Sequence, residues 1–177
     1  RIEFYKVKFV VNWFTEILPK LVLKTSAGFG FLGHYNDDIG TAPFERFFLG
    51  GSALSNVQFI SRENVALRGY DEGSLSPPAG ASAIAKYVIE LRYPIVLSQA
   101  TTIYALTFFE AGNTWTNGSS YSPLNMFHST GIGLRVFLPA FGLLGLDYGW
   151  RLNDVPFFPF MAKGQFHFTI GMNVGDL

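Results

Sequence analysis

The sequence has no cysteine among its 177 residues, which excludes disulfides, thiolate metal sites and thiol nucleophiles. It is also poor in charge, since charged residues make up 15% of the chain against ~25% in ordinary soluble domains. Thirteen basic and thirteen acidic residues cancel, so the composition gives no sign of a nucleic-acid-binding surface. No apolar run approaches the ~18 residues of a spanning helix.

What the chain has in abundance is aromatic residues, at 17%, together with a positive mean hydropathy of +0.24. Seven stretches alternate large apolar residues with polar or small ones at a period of two, and no convincing helix lies between them. This period is typical of strands with two unlike faces. The stretches are residues 5–13, 21–31, 86–93, 101–115, 130–138, 144–150 and 165–174.

The alternation gives each strand an apolar face and an opposite face of polar or small residues. In the first stretch Val7 and Phe9 share one face and Lys6 and Lys8 lie on the other. The alternation likewise separates Glu90 from the apolar face of its strand. For Glu110 it is merely compatible with a polar face, because that stretch mixes aromatic residues into both positions.

The connections between the strands alternate short and long, with tight turns predicted at Pro19, around 94–99 and at 139–142. Outer-membrane barrels have this arrangement, whereas a soluble sandwich follows no such rule. Each strand supplies about the ~9–11 residues that a tilted membrane-spanning strand needs. Tyr and Trp near the strand ends are typical of interfacial girdles. We therefore predict an all-β fold, a transmembrane antiparallel β-barrel.

Seven strands are an awkward number, because closed single-chain bacterial barrels usually have an even count from about eight upward. An open sheet in lipid would expose unpaired backbone groups. The chain also opens at Arg1, inside a strand pattern. We therefore expect residues 1–177 to be the C-terminal part of a larger barrel domain.

The long connection, at about 34–83, contains the sequence Val-Ala-Leu-Arg-Gly-Tyr-Asp-Glu-Gly at 65–73. Arg68 is a fixed positive charge next to Gly69, which can take backbone angles closed to other residues. Tyr70 adds a flat ring with a polar tip. An exposed turn is the commoner interpretation of these nine residues alone. If the strands form a barrel, the favoured interpretation changes: the loop folds into the lumen, and Arg68 pairs with buried carboxylates.

Two strands come before the long connection that contains Leu67-Arg68-Gly69-Tyr70, and five strands follow it. The sequence here resembles the C-terminal barrel portion of the BamA family, the outer-membrane β-barrel assembly proteins, and the wider family of translocation and assembly barrels. Supporting segments are Pro-Phe-Glu-Arg-Phe-Phe-Leu-Gly-Gly at 43–51, Val-Ile-Glu at 88–90 and Phe-Phe-Glu-Ala-Gly-Asn-Thr-Trp at 108–115. The family signature begins with Val where this chain has Leu67, and here about fifteen residues, 52–66, separate the Gly-Gly pair from the motif. The chain ends in Gly-Asp-Leu rather than on an aromatic residue.

The resemblance implies that the chain forms the last seven of roughly sixteen strands, with a lumen-inserted loop. It implies that the arginine of the motif Leu67, Arg68, Gly69 and Tyr70 pairs with Glu90 and Glu110. It further implies a seam on the last strand, at Phe166, Phe168, Ile170 and Gly171.

The function implied by the resemblance is assembly: folding and inserting β-barrel proteins into the bacterial outer membrane. Partners would be nascent outer-membrane β-barrel clients, outer-membrane lipids and accessory assembly lipoproteins. A two-partner-type protein translocation pore of the same superfamily and a passive porin are alternatives. The motif does not separate assembly from translocation.

No catalytic function is supported by the sequence, and we expect neither an enzyme nor a cofactor. His34, His128 and His167 do not show metal-ligand spacing. A cation site at 37–38 is less favoured than a solvated turn. The Gly-Phe-Gly at 28–30 is not followed by a helix, so it is not a phosphate loop.

Overall fold

The computed structural model describes residues 3–36, 40–52, 63–98, 101–117, 120–122, 124–139, 142–155 and 162–171. The seven predicted strands form one sheet in the order β1-β2-β5-β6-β7-β8-β9, and each adjacent pair is antiparallel. Their bounds are β1 Phe4–Leu18, β2 Leu21–His34, β5 Ala83–Leu97, β6 Thr102–Trp115, β7 Phe127–Leu138, β8 Gly142–Arg151 and β9 Gly164–Ile170. The predicted end of the last strand, 172–174, lies outside the described residues.

The predicted alternation of short and long connections is confirmed by these bounds. The first hairpin turns at Pro19 and Lys20, and Lys20 takes a positive φ of 69°. The predicted turn at 94–99 begins too early. Strand β5 continues through Pro94 to Leu97, with a register shift between Pro94 and Val96. Such a bulge lets a strand carry a proline, which has no backbone donor for the ladder.

The long connection was predicted to be irregular, yet it contains two further strands, β3 Phe47–Leu49 and β4 Glu63–Val65. They pair in parallel, outside the main sheet. A 3₁₀ turn, Pro43–Glu45, precedes them. Three residues are too few to show a period of two, so sequence periodicity could not reveal either strand.

The described part of this connection, residues 35–36, 40–52 and 63–82, packs on one face of the sheet, which we call the inner face. Its apolar residues form a core with residues of the sheet. The buried members are Leu32, Phe47, Leu49, Val65, Leu67, Tyr70, Leu75, Ile84 and Val155. Burial of this many apolar side chains, at ~1.5–3 kcal/mol each, holds the connection on the sheet.

The opposite, outer face carries exposed apolar side chains along all seven strands. Phe9 is 60% exposed and Trp13 is 68% exposed. The inner positions of the same strands bury polar and charged groups, among them Lys24, Lys86 and Glu90. The sheet is therefore apolar outside and polar inside, which inverts the usual pattern of a water-soluble fold.

Among the described residues β1 pairs only with β2 and β9 only with β8, so the sheet is open at both edges. No helix long and apolar enough to cross a membrane occurs in the part of the chain that the structure describes.

Candidate functional site

The Leu67–Arg68–Gly69–Tyr70 motif forms a turn that begins two residues after β4. Leu67 forms a β-bridge with Gly51, and the Gly51 N–H donates to the Tyr70 carbonyl at 3.0 Å. Gly69 takes a φ of 90°, a left-handed value that favours glycine. The Gly-Gly pair at 50–51 and the motif therefore form one unit, which directs Arg68 at the inner face.

Arg68 is fully buried and lies between carboxylates on two adjacent strands. Its Nη2 donates to Glu90 Oε1 at 2.8 Å and to Glu110 Oε1 at 2.7 Å. Its Nε donates to Glu110 Oε1 at 3.0 Å, and its backbone N–H donates to Glu110 Oε2 at 2.8 Å. The guanidinium carbon lies 3.5 Å from the centroid of the Phe108 ring. The structure thus brings Arg68 together with both predicted carboxylates.

Arg68 keeps its positive charge although it is buried. Burial alone would lower the pKa of the guanidinium, but Glu110, Glu90 and Asp147 together raise it above its usual value. The charge is therefore permanent, and so is the requirement for acidic partners. We call Arg68, Glu90, Glu110 and Asp147 the arginine socket.

Asp147, on β8, was not predicted as a member of this socket. Its Oδ1 lies 3.5 Å from Arg68 Nη1, an ion-pair distance rather than a short hydrogen bond. Its main partner is Arg135 of β7, which forms a two-pronged contact, Nη1 to Oδ1 and Nη2 to Oδ2, each at 2.8 Å. The alternation of the strands places both residues on the inner face, but gives no signal of which charges meet.

Lys86 is a second buried cation that the sequence did not assign to the site. Its Nζ donates to the Ala66 carbonyl, immediately before the motif, and lies 3.6 Å from Glu110 Oε1. Glu90 has a further partner in Arg92, whose Nε donates to Oε2 at 2.9 Å. Both carboxylates are thus held by more than one cation, which is how buried charge is tolerated.

The second half of the motif packs on β7 and β8. A Cβ atom built on Gly149 would lie 2.6 Å from the Gly69 nitrogen, so the two backbones touch where neither residue has a side chain. Tyr70 is buried, its hydroxyl donates to the His128 carbonyl at 2.7 Å, and its ring meets Phe127 edge-on. Burial raises the pKa of the Tyr70 hydroxyl.

The connection is also attached to the edge strand β1. Glu63 accepts a hydrogen bond from Lys8 at 2.6 Å and forms an ion pair with Lys6. Lys6 also donates to the Glu45 carbonyl at 2.8 Å. Burial raises the pKa of Glu63, but its hydrogen bonds with the two lysines outweigh that effect and the pKa is lowered.

Three of the four predicted seam residues lie on the edge strand β9, and the fourth, Gly171, lies just beyond its end. Phe166, Phe168 and Ile170 are exposed on the outer face. Gly171 follows the strand with a positive φ of 68°.

No cluster of three or more His, Asp or Glu side chains suited to a metal ion occurs in the described ranges. His128 Nδ1 lies 3.1 Å from Asn153 Oδ1, while His167 contacts the motif turn. The three histidines are not brought together. The predicted alternative of a cation at 37–38 lies outside the described residues.

A family model, described as the Omp85 superfamily domain, matches residues 1–173. The chain belongs to the Omp85 superfamily. No curated protein matches the sequence.

A solved structure has a fold similar to that of this chain. The crystal structure of BamA from Haemophilus ducreyi lacking POTRA domains 1–3 superposes with a TM-score of 0.66 at 17% identity. The match covers 94% of this chain and 34% of that chain, so this chain spans about a third of the length of the BamA structure. At this identity the likeness establishes the fold.

Proposed function

We propose that this Omp85 chain is the C-terminal part of the membrane barrel of an assembly factor, one that folds and inserts β-barrel proteins into the bacterial outer membrane. The observation that favours assembly is the edge strand β9, which pairs with β8 alone among the described strands, while the buried contact of Arg68 with Glu90 and Glu110 supports a lumen-inserted loop. Superfamily membership and the fold shared with BamA support it, since members of this family are outer-membrane proteins.

The proposed environment of the outer face is lipid. Exposed apolar side chains along every strand would be a liability in water, but they suit hydrocarbon. Most of the strands are at least as long as the ~9–11 residues that a tilted spanning strand needs. Outer-membrane lipids are therefore proposed as direct partners of this surface.

The open edges of the sheet require further strands in such an environment. Unpaired backbone groups in hydrocarbon cost several kcal/mol each, so lipid excludes an open sheet. We propose that additional strands pair with the free edge of β1 and close a barrel of roughly sixteen strands around the inner face. The connection at 34–83 would then occupy the lumen.

The proposed mechanism involves no covalent chemistry, so we propose that the protein is not an enzyme. A nascent β-barrel strand in lipid needs a partner for its backbone groups. In the proposed barrel the first strand and the last strand, β9, pair only weakly, so β9 can offer such groups and an incoming client strand can pair with them by strand addition. Accessory lipoproteins would present clients to this seam.

The test is client folding by the full-length protein, purified and reconstituted in lipid vesicles. We expect an unfolded outer-membrane barrel client to fold faster than in empty vesicles, measured by its resistance to SDS unfolding at room temperature. The Arg68→Ala variant should lose most of this acceleration. Equal rates in loaded and empty vesicles would overturn the proposal.

Two measurements test the two alternatives: planar-bilayer recordings test for a passive porin, and export from vesicles tests for a translocation pore. A steady high conductance would indicate a passive porin, because a lumen filled by its own connection should not give one. Export of a dedicated partner into the vesicle exterior, without client folding, would indicate a translocation pore.

A further inference from the structure

The motif turn touches not only the arginine socket but also the edge strand β9. The Gly69 N–H donates to His167 Nε2 at 2.8 Å, and Gln165 Nε2 donates to Asp71 Oδ1. Both β9 residues lie on the inner face, two residues apart along the strand. Since β9 pairs with β8 alone among the described strands, these two contacts attach it to a second element, the motif turn, on the inner face.

The geometry makes the contact to His167 specific. His167 is buried, and an imidazole nitrogen that accepts a backbone N–H must carry no proton itself. Gly69 has little freedom to move away, because the backbone of β8 at Gly149 and Trp150 lies directly beneath it. The donor is therefore fixed by one strand and the acceptor is presented by the next.

The same turn is held to β5 and β6 through Arg68. Two consecutive residues, Arg68 and Gly69, thus connect the middle of the sheet to its last strand. Release of the arginine would remove the inner attachment of β9, and loss of the His167 contact would loosen the turn.

We propose that the motif turn is a clamp on β9, with His167 as the positioning residue that receives it. Docking of the turn holds β9 against β8, and undocking makes the backbone of β9 more accessible. Docking of the turn on β9 does not require a client. Its consequence, control over when β9 accepts a client strand, rests on the proposed function.

Hydrogen exchange of backbone amides in the full-length protein, in lipid nanodiscs, tests the clamp. His167→Leu removes the acceptor, and we expect about tenfold faster exchange in both 164–170 and 67–71, the effect of one hydrogen bond. His167→Gln keeps an acceptor oxygen near the same place and should restore slow exchange. Thr169→Val is the matched control, because Thr169 is buried on the same face of β9 but lies beside Gly145.

Three results would overturn the clamp. The first is an effect of His167→Leu no larger than that of Thr169→Val. The second is faster exchange in β9 while the turn is unchanged, since this shows no coupling. The third is a glutamine variant that behaves like the leucine variant, which assigns the effect to packing rather than to the acceptor.

A second measurement tests the clamp even if the His167→Leu variant does not fold. Residues 1–177 contain no cysteine, so in full-length protein with any cysteine outside this range replaced by serine, Asp71→Cys with Gln165→Cys gives one pair for a short thiol crosslinker. In the Arg68→Ala background the crosslink should restore slow exchange in β9, and no restoration would overturn the clamp. If the crosslink slows exchange but leaves client folding unchanged, the clamp stands and the proposed use of β9 by clients fails.

Discussion

Replacing Arg68 by alanine removes the cation that connects the long connection to the sheet. The substitution deletes three side-chain hydrogen bonds to Glu90 and Glu110 and the contact with Phe108. It leaves Glu110, which is fully buried, with Lys86 at 3.6 Å as its nearest cation. We expect the connection to detach from the inner face much more often.

The magnitude follows from the burial of the charges. Breaking a buried ion pair by removing one partner costs ~3–5 kcal/mol, largely because the other charge is left uncompensated. At ~1.4 kcal/mol per factor of ten, the population with the connection undocked rises roughly 100- to 4000-fold. Arg92→Ala is the matched control, since Arg92 binds the same Glu90 but is 23% exposed. Its loss should cost less, ~1 kcal/mol or roughly a fivefold change, because the buried Glu90 keeps its hydrogen bond with Arg68.

Limited proteolysis of the folded protein measures this difference. When opening and closing are fast, the cleavage rate follows the open population. Arg68→Ala should therefore give new cuts between Gly51 and Gly80, at a rate at least ten times that of Arg92→Ala. Cleavage of the two variants within a few-fold of each other would refute the energetic role assigned to the socket.

Three further predictions test other parts of the molecule. Gly149→Ala should produce the same new cuts as loss of the socket arginine, because the added methyl occupies the place of the motif backbone; an unchanged digest would contradict this. The lowered pKa of Glu63 means that its ion pairs with Lys6 and Lys8 stabilise the docked connection fully above about pH 4.3 and are lost as the pH falls through the folded-state pKa. The protection factors of amides near residues 63–65, which are exchange rates corrected for the intrinsic effect of pH, should fall in this pH range, and in Glu63→Gln they should stay constant with pH. Phe9→Lys should reduce folding into vesicles by ~2–4 kcal/mol if its depth is near the midplane, whereas Phe9→Leu should not; equal folding yields would argue against a lipid-facing surface.

The main sheet could be predicted from the sequence because its signal is local. A period of two repeats along each strand, and all seven strands occur where it predicts them, although β1 and β5 extend up to five residues beyond the predicted bounds. Two features escaped this reasoning. Strand β5 runs through Pro94 because a bulge absorbs the missing donor, and β3 and β4 are held by packing on the sheet rather than by their own pattern.

The site could be predicted only in part, for a different physical reason. The resemblance pointed to Arg68, Glu90 and Glu110, which the structure brings within hydrogen-bond distance. Asp147 and His167 reach the same turn from strands far along the chain, and no local pattern encodes which pairs meet. The alternation along β8 and β9 places both side chains on the inner face, but their partners follow only from the register of the sheet.

The separation in sequence between the motif and its contacts has a consequence for biogenesis. The side chains that receive Arg68 and Gly69 come later in the chain, and His167 is 98 residues away from Gly69. Such distant closures are made late and slowly. A molecule interrupted before β9 would still hold Arg68 on Glu90 and Glu110, but the Gly69 N–H would lack its acceptor, so the Gly69–His167 contact forms only once the last strand is in place.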